Sequence, residues 1–274
     1  MAEWNVLKAY WQEHWKQKLR KKQQLHHKCG KKIKRIHIHG KKLEMRIDDE
    51  HHAEFPYLLH VKLFIEDGEY FYHEEVMEHR VAEVENDVVT FDKEVALPIR
   101  EIPEQIEVDV NDSRFDYDRR VAVQYAERWW NDANPAYQYF ADNDCTNYIS
   151  QCLRAGGAPM HGAPNRSKGW WYQRDNWSFS WSVANSFRWY LSGATSGLKG
   201  TEVSDPEKLS PGDVICYDFQ GDGRWDHTTI VVAKDSQHMP LVNAHTNNSR
   251  HRYWTYEDSA AWTPNCQYRF FHIG

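Results

Sequence analysis

The chain has 274 residues, of which 41% are hydrophobic and 27% charged, with a net charge of −6, the composition of an ordinary soluble globular protein. No stretch of about 18 apolar residues occurs, so no membrane-spanning helix is expected. The N-terminus alternates aromatic and charged residues and lacks the apolar core and small-residue cleavage site of a secretory signal. These features predict a cytoplasmic protein, or one secreted or wall-associated if a leader has been removed. Five cysteines without a C-x-x-C pair argue against a disulfide framework or a zinc ribbon.

The charge is segregated along the chain. Residues 1–50 hold 14 Lys and Arg against 6 Asp and Glu, residues 51–118 hold 5 against 19, and residues 119–274 hold 15 of each. A separate N-terminal module is implied, whose basic and acidic parts can pair with each other. The basic face is read as solvated rather than as a nucleic-acid patch, because its lysines fall on the polar side of an amphipathic helix.

In chain order, Trp4, Leu7, Trp11, Trp15 and Leu19 recur every three or four residues and predict a helix with one apolar face. From Lys34 to His39 the period changes to two. Further strand-like runs are Tyr57–Ile65, Tyr70–Val76, Val81–Val84 and Val88–Phe91, with Asp67-Gly68 as a hairpin turn. Residues 1–110 therefore read as an α+β accessory domain, an N-terminal helix laid on a curled antiparallel sheet. Pro98, Pro103 and the acidic run to Asp118 read as a linker. A helix over Tyr117–Trp130 opens a second domain, residues 115–274.

The segment from Asp142 to Gly157, DNDCTNYISQCLRAGG, combines helix start, body and stop. Asn143 or Asp144 can cap the first turn. Cys145, Tyr148, Ile149 and Cys152 share a face, and Gly156-Gly157 can end the helix. Cys145 then sits in the first turn, where the helix dipole favours thiolate over thiol. Cys152 reads as an inert core residue. Next comes Leu209–Phe219, a Pro-Gly turn into a strand, followed by a Gly/Asp loop and a β-branched strand opened by His227. A third strand, Pro240–Ala244, is followed by His245; Asn243 and His245 lie two apart and share a face. Either can orient the His227 imidazole, as the base of a nucleophilic cysteine requires.

DCTNYISQCLRAGG, LSPGDVICYDFQGDGRWDHTTIVV and LVNAHT together resemble the family known as the putative amidase domain. That family is similar to the NlpC-type and CHAP-type cell-wall amidases and peptidases of the papain-like clan. The resemblance covers roughly residues 115–272 and leaves the first 110 outside it. It implies a papain-like domain with the nucleophile at a helix N-terminus packed on an antiparallel sheet. It assigns Cys145 as nucleophile and His227 as base, with His245, preferred, or Asn243 as the third catalytic residue. The implied reaction is acyl transfer from an amide through a thioester, with the Cys145 N–H and a polar neighbour stabilising the oxyanion. No metal or organic cofactor is called for.

Several rival readings remain. Asp218 and Asp222 hint at a calcium loop but lack EF-hand spacing, and Cys145, His227 and His245 are also zinc-ligand types. Ten of the 13 tryptophans lie in residues 119–274. Trp170, Trp171, Trp177, Trp181 and Trp189 suit either a core or a cleft for a glycan-peptide such as peptidoglycan. The expected partner is thus a peptide or peptidoglycan-like substrate, with no nucleic acid and no membrane. A non-catalytic binding module and an acyltransferase are the alternatives.

Overall fold

The computed structural model describes residues 2–43, 46–49, 52–86, 88–95, 116–141 and 143–274. Pro98, Pro103 and the linker expected around them, together with Asp142, lie outside the described residues. The chain divides into two compact units, Met1–Leu97 and Pro98–Gly274. The architecture is mixed α and β with a large antiparallel sheet. Among the described residues no helix is long and apolar enough to cross a membrane.

In the first unit, helix α1 (Ala2–Lys28) precedes strands β1 (Lys32–Lys42), β2 (Arg46–Asp49), β3 (His52–Asp67), β4 (Tyr70–Glu85) and β5 (Val88–Glu94). β3 pairs antiparallel with β1, β2 and β4, and β5 pairs with β4. The β3–β4 hairpin closes through Gly68-Glu69 with Asp67 opposite Tyr70, and Gly68 supplies the left-handed φ of +63° that such a turn needs. Leu7, Trp11 and Trp15 bury the expected helix face against Tyr57, Leu59, Val61, Leu63 and Ile65 of β3.

The structure corrects one strand assignment. Tyr70–Val76 and Val81–Val84 belong to a single 16-residue strand. Its middle carries buried Glu74, Glu78 and Arg80, which break the apolar alternation and read as a gap. Each is satisfied by a partner from elsewhere in the unit. Lys18 Nζ lies 2.7 Å from Glu78 Oε1, and Lys22 and His26 both meet Glu74. Arg80 reaches Asp92 at 2.8 Å and donates to the Tyr57 hydroxyl, which also accepts from Trp11 Nε1 at 2.9 Å. The basic helix and the acidic strand thus neutralise each other inside the unit, which is how buried charges avoid their desolvation cost.

The second unit contains α2 (Arg119–Trp129), α3 (Cys145–Ala155), a short ribbon of β6 (Tyr172–Gln173) and β7 (Asn176–Trp177), α4 (Phe179–Ser182), α5 (Ala184–Gly193), and strands β8 (Gly200–Val203), β9 (Val214–Asp218), β10 (His227–Lys234), β11 (Pro240–Ala244), β12 (Ser249–Tyr253) and β13 (Gln267–Ile273). Within this unit the strand order is β12-β11-β10-β9-β13-β8, with every pair antiparallel. β9 and β11 are buried throughout, as is β10 up to its last two residues. One face of the sheet (Val214, Cys216, Ile230, Val232, Phe271) packs with α2, α3 and Trp170, Trp171 and Trp181. The opposite face (Ile215, Tyr217, Val231, Val242, Ala244) packs with Phe219 and Tyr256. Of the five clustered tryptophans, Trp170, Trp171 and Trp181 are core, Trp177 is half-buried and Trp189 stands 57% exposed.

Gly40 of β1 makes a close approach that tests the first unit. A Cβ there would lie 2.0 Å from the Trp11 ring, which is held by the hydrogen bond to Tyr57 and by edge contact with Trp4. Overpacking of this kind costs about 1–3 kcal/mol. Gly40→Ala is therefore expected to lower the urea midpoint of the first unit, and adding Trp11→Phe should restore part of it. An unchanged midpoint in Gly40→Ala would refute the contact.

Candidate active site

Helix α3 begins at Cys145, as its sequence pattern requires, and ends where Gly157 adopts φ +95°. Every residue from Cys145 to Leu153 is buried, so the polar stripe of the helix faces partners rather than water. Asn147 accepts from Trp181 Nε1 at 2.8 Å. Ser150 accepts from Trp170 Nε1 at 2.9 Å, and Gln151 accepts from the Tyr125 hydroxyl at 2.7 Å. These bonds lock the helix between the tryptophan core and the sheet.

Asp144 does not act as the expected side-chain cap. Its carboxylate instead accepts from Phe140 N at 3.0 Å and Asn147 Nδ2 at 2.8 Å, and meets His245 Nδ1 at 2.7 Å. Its backbone N–H donates to Thr246 Oγ1 at 3.1 Å. This joins the start of α3 to the turn after β11, where Thr246 and Asn247 both have left-handed φ.

The Cys145 thiol is fully buried. Its Sγ donates to Asn143 Oδ1 at 3.1 Å and lies 3.7 Å from Thr146 Oγ1, and Thr146 Oγ1 lies 3.1 Å from Thr228 Oγ1. Burial pushes the thiol above its ordinary range; hydrogen bonds from Thr228 and Thr146 act in the opposite direction, and the Asp144 charge adds to the rise. The expected thiolate is not the form this environment favours. A helix end contributes about 0.3–1 kcal/mol at an exposed site, whereas burying an ion away from water costs several times more. Cys152, two turns deeper, is likewise buried and raised by burial, as an inert core thiol should be.

His227 opens β10 as expected, but its ring belongs to the other face of the sheet. The β9–β10 register pairs His227 with Tyr217 and Thr228 with Cys216, and directly paired residues share a face. Thr228 therefore points toward α3 and His227 away from it. The imidazole sits among Tyr217, Phe219 and Tyr256. Its Nε2 lies 3.3 Å from the Tyr256 hydroxyl, which in turn is 3.4 Å from Ser249 Oγ. Burial depresses its pKa to about 3, with Arg252 adding to the effect, so the ring is neutral at neutral pH. No hydrogen bond joins Cys145 to His227 among the described residues.

His245 and Asn243 do face α3, as their spacing predicts, yet neither reaches His227. The His245 ring stacks on Tyr148 at 4.0 Å. Its two nitrogens meet Asp144 Oδ2 and the Trp129 carbonyl, each at 2.7 Å. Asn243 donates to Glu127 Oε1 at 3.0 Å and accepts from His251 N at 2.9 Å. Burial acts to raise the Glu127 carboxyl, but His251 and Arg250 outweigh it and hold its pKa at about 2.

The predicted set thus falls into four networks, one around Cys145, one around Asp144 and His245, one around Asn243 and Glu127, and one around His227 and Tyr256. The metal readings gain nothing from this arrangement. Asp218 accepts from the backbone N–H groups of Gly221, Asp222 and Gly223, which makes a turn. No cluster of three or more metal-ligand side chains occurs among the described residues. Thr228 and Tyr256 were not singled out from sequence, and Asn143 only as a helix cap; two-residue alternation from the buried Ile230 was the signal for Thr228.

The family model described as "Putative amidase domain" matches residues 116–271. A Bacillus subtilis (strain 168) protein, "Uncharacterized protein YhbB", is 49% identical over 240 residues, covering 84% of this chain and 77% of that protein. "Uncharacterized protein YjcM", from the same organism, is 35% identical over 140 residues, covering 48% of this chain and 31% of its own length. No solved structure matches.

The His227 environment sets a pH dependence. Its folded pKa of about 3 lies below the ordinary 6.5, so the unfolded chain takes up the proton first as pH falls. The stabilisation is fully present above pH 6.5 and is lost between about 6.5 and 3, at up to about 1.4 kcal/mol per pH unit. His227→Phe should flatten this acid limb in urea unfolding between pH 6.5 and 4. An unaltered slope would show that the imidazole is not buried neutral.

Proposed function

Since the chain belongs to the amidase-domain family over residues 116–271, we propose that its second unit is a cysteine amide hydrolase of the papain-like kind, related in layout to NlpC-type and CHAP-type enzymes. The observation that supports this most is the place of Cys145: first residue of α3, backed by Asn143 and Thr146, within a segment the family model covers. In the proposed reaction Sγ attacks an amide carbonyl, the leaving amine takes the proton, and water resolves the thioester. The Cys145 N–H at the helix start and the Asn143 carboxamide would hold the oxyanion.

This reading treats the present arrangement as a resting one with the thiol protonated. For His227 to act as base it must leave Tyr217 and Tyr256 and turn to the α3 face. It is the first residue of β10, so the movement involves a strand end and the adjoining loop. His245 would serve by fixing Asp144 and the α3 start. A peptide or peptidoglycan-like substrate fits the aromatic surroundings; reaching a wall would require export, and a cytoplasmic peptide is the alternative. A second reading, a non-catalytic peptide- or wall-binding module, is favoured by the sealed thiol and by the base lying on the opposite face. An acyltransferase would use the same thioester with water excluded.

Cys145→Ala is expected to abolish release of new amino groups from a muropeptide digest while lowering Tm by only about 2–4 °C, the effect of ~1 kcal/mol in a unit of this size. Iodoacetamide in the presence of the digest should label Cys145 ahead of Cys152. Equal, slow labelling of the two with no amine release, while the digest still binds, would replace the enzyme by the binding module. Transfer to an added amine in place of hydrolysis would identify the acyltransferase.

A further inference from the structure

Arg188 on α5 is 7% exposed, yet its Nε and Nη1 are buried with no hydrogen-bond partner. Its guanidinium lies 3.8 Å from the Trp189 ring centre and 5.2 Å from that of Trp225. Trp225 is itself held by its backbone N–H donating to Asn185 Oδ1 at 3.3 Å, and Arg269 approaches the same ring at 5.8 Å. Aromatic faces attract a cation but offer no acceptor to an N–H group. A guanidinium is permanently charged and carries five donors, so a buried one with open donors is an incomplete site. Trp189, 57% exposed, forms the outer side of this enclosure.

The position relative to Cys145 follows from the sheet. Arg269 pairs with Cys216 and Cys216 with Thr228, so the three form a row across β13, β9 and β10 on the α3 face. Two strand spacings span about 10 Å, and Thr228 at one end contacts Thr146 beside the thiol. The Cys216 thiol lies within electrostatic reach of both Arg188 and Cys145. The arginine end and the Cys145 end thus lie on the same face of the sheet, about two strand spacings apart.

We propose that Arg188, beside Trp225 and with Trp189 as its movable cover, forms a carboxylate-binding subsite for a short peptide bearing a free carboxyl group. A carboxylate is preferred over a tetrahedral anion because it is planar, like the guanidinium, and fits the narrow space beside the indole rings while binding the guanidinium fork. The subsite rests on the hydrolase reading only for its place in a substrate, because binding does not require turnover.

The test uses the full-length chain carrying Cys145→Ala, titrated by calorimetry with N-acetyl-Ala-Ala as the free acid, with its C-terminal amide and with inorganic phosphate. The free acid should bind at least about tenfold more tightly than the amide or phosphate and shift the Trp189 indole NMR signal. Arg188→Gln should weaken it about tenfold or more, with Arg188→Lys, the safer variant for folding, between the two. Equal affinity for acid and amide, phosphate binding as tightly as the acid, undiminished binding in folded Arg188→Gln, or no binding of the acid at millimolar concentration would each overturn the proposal. Binding that persists while the unsubstituted chain hydrolyses nothing would sink the enzyme reading and leave the subsite standing.

Discussion

The three central strands of the second unit are packed on both sides, and that constraint governs the rest of its structure. A half-exposed strand has a default side for polar groups; β9, β10 and β11 have none, so each polar residue must find a partner on whichever face the register assigns. Thr228 finds Thr146, Asn243 finds Glu127, and His227 finds Tyr256. Moving Thr228 or Asn243 to the opposite face would mean a register slip that inverts the whole strand.

The same economy appears in the first unit in ionic form. Lys18, Lys22 and His26 of α1 meet the acids of β4, and Arg80, Asp92 and Tyr57 complete an interior polar network. Among the described residues, the charge segregation of the N-terminal part thus takes the form of pairing between the basic helix and the acidic strand. It also explains why the middle of β4 does not look like a strand: its inward residues are chosen to match the helix and not to be apolar.

Much of the architecture was legible because local signals agreed. The helical spacing in α1, the Gly68 turn and the β-branched runs of β10 and β11 each pointed to one structure, and the start of α3 at Cys145 followed from its flanking residues. What could not be read was the choice of face at a strand end. His227 looked like a base because it opens a strand, but facing is a matter of parity against a partner strand, and parity is visible only once Tyr217 is known to be that partner. Asp144 looked like a cap because short acids often are; its real partners, Phe140, Asn147 and His245, include one a hundred residues away. Cys145 was placed correctly at a helix end, while the desolvation that dominates its chemistry comes from the tertiary packing.

The contact between Asp144 and His245 has an evolutionary corollary. With both groups about as buried as side chains can be, losing one leaves the other short of a hydrogen-bond partner in a medium that solvates it poorly, at a cost of about 1–3 kcal/mol. Divergence at these positions should therefore proceed in matched steps. In a lineage that keeps one partner and drops the other, a third residue should have arrived to take the orphan's place.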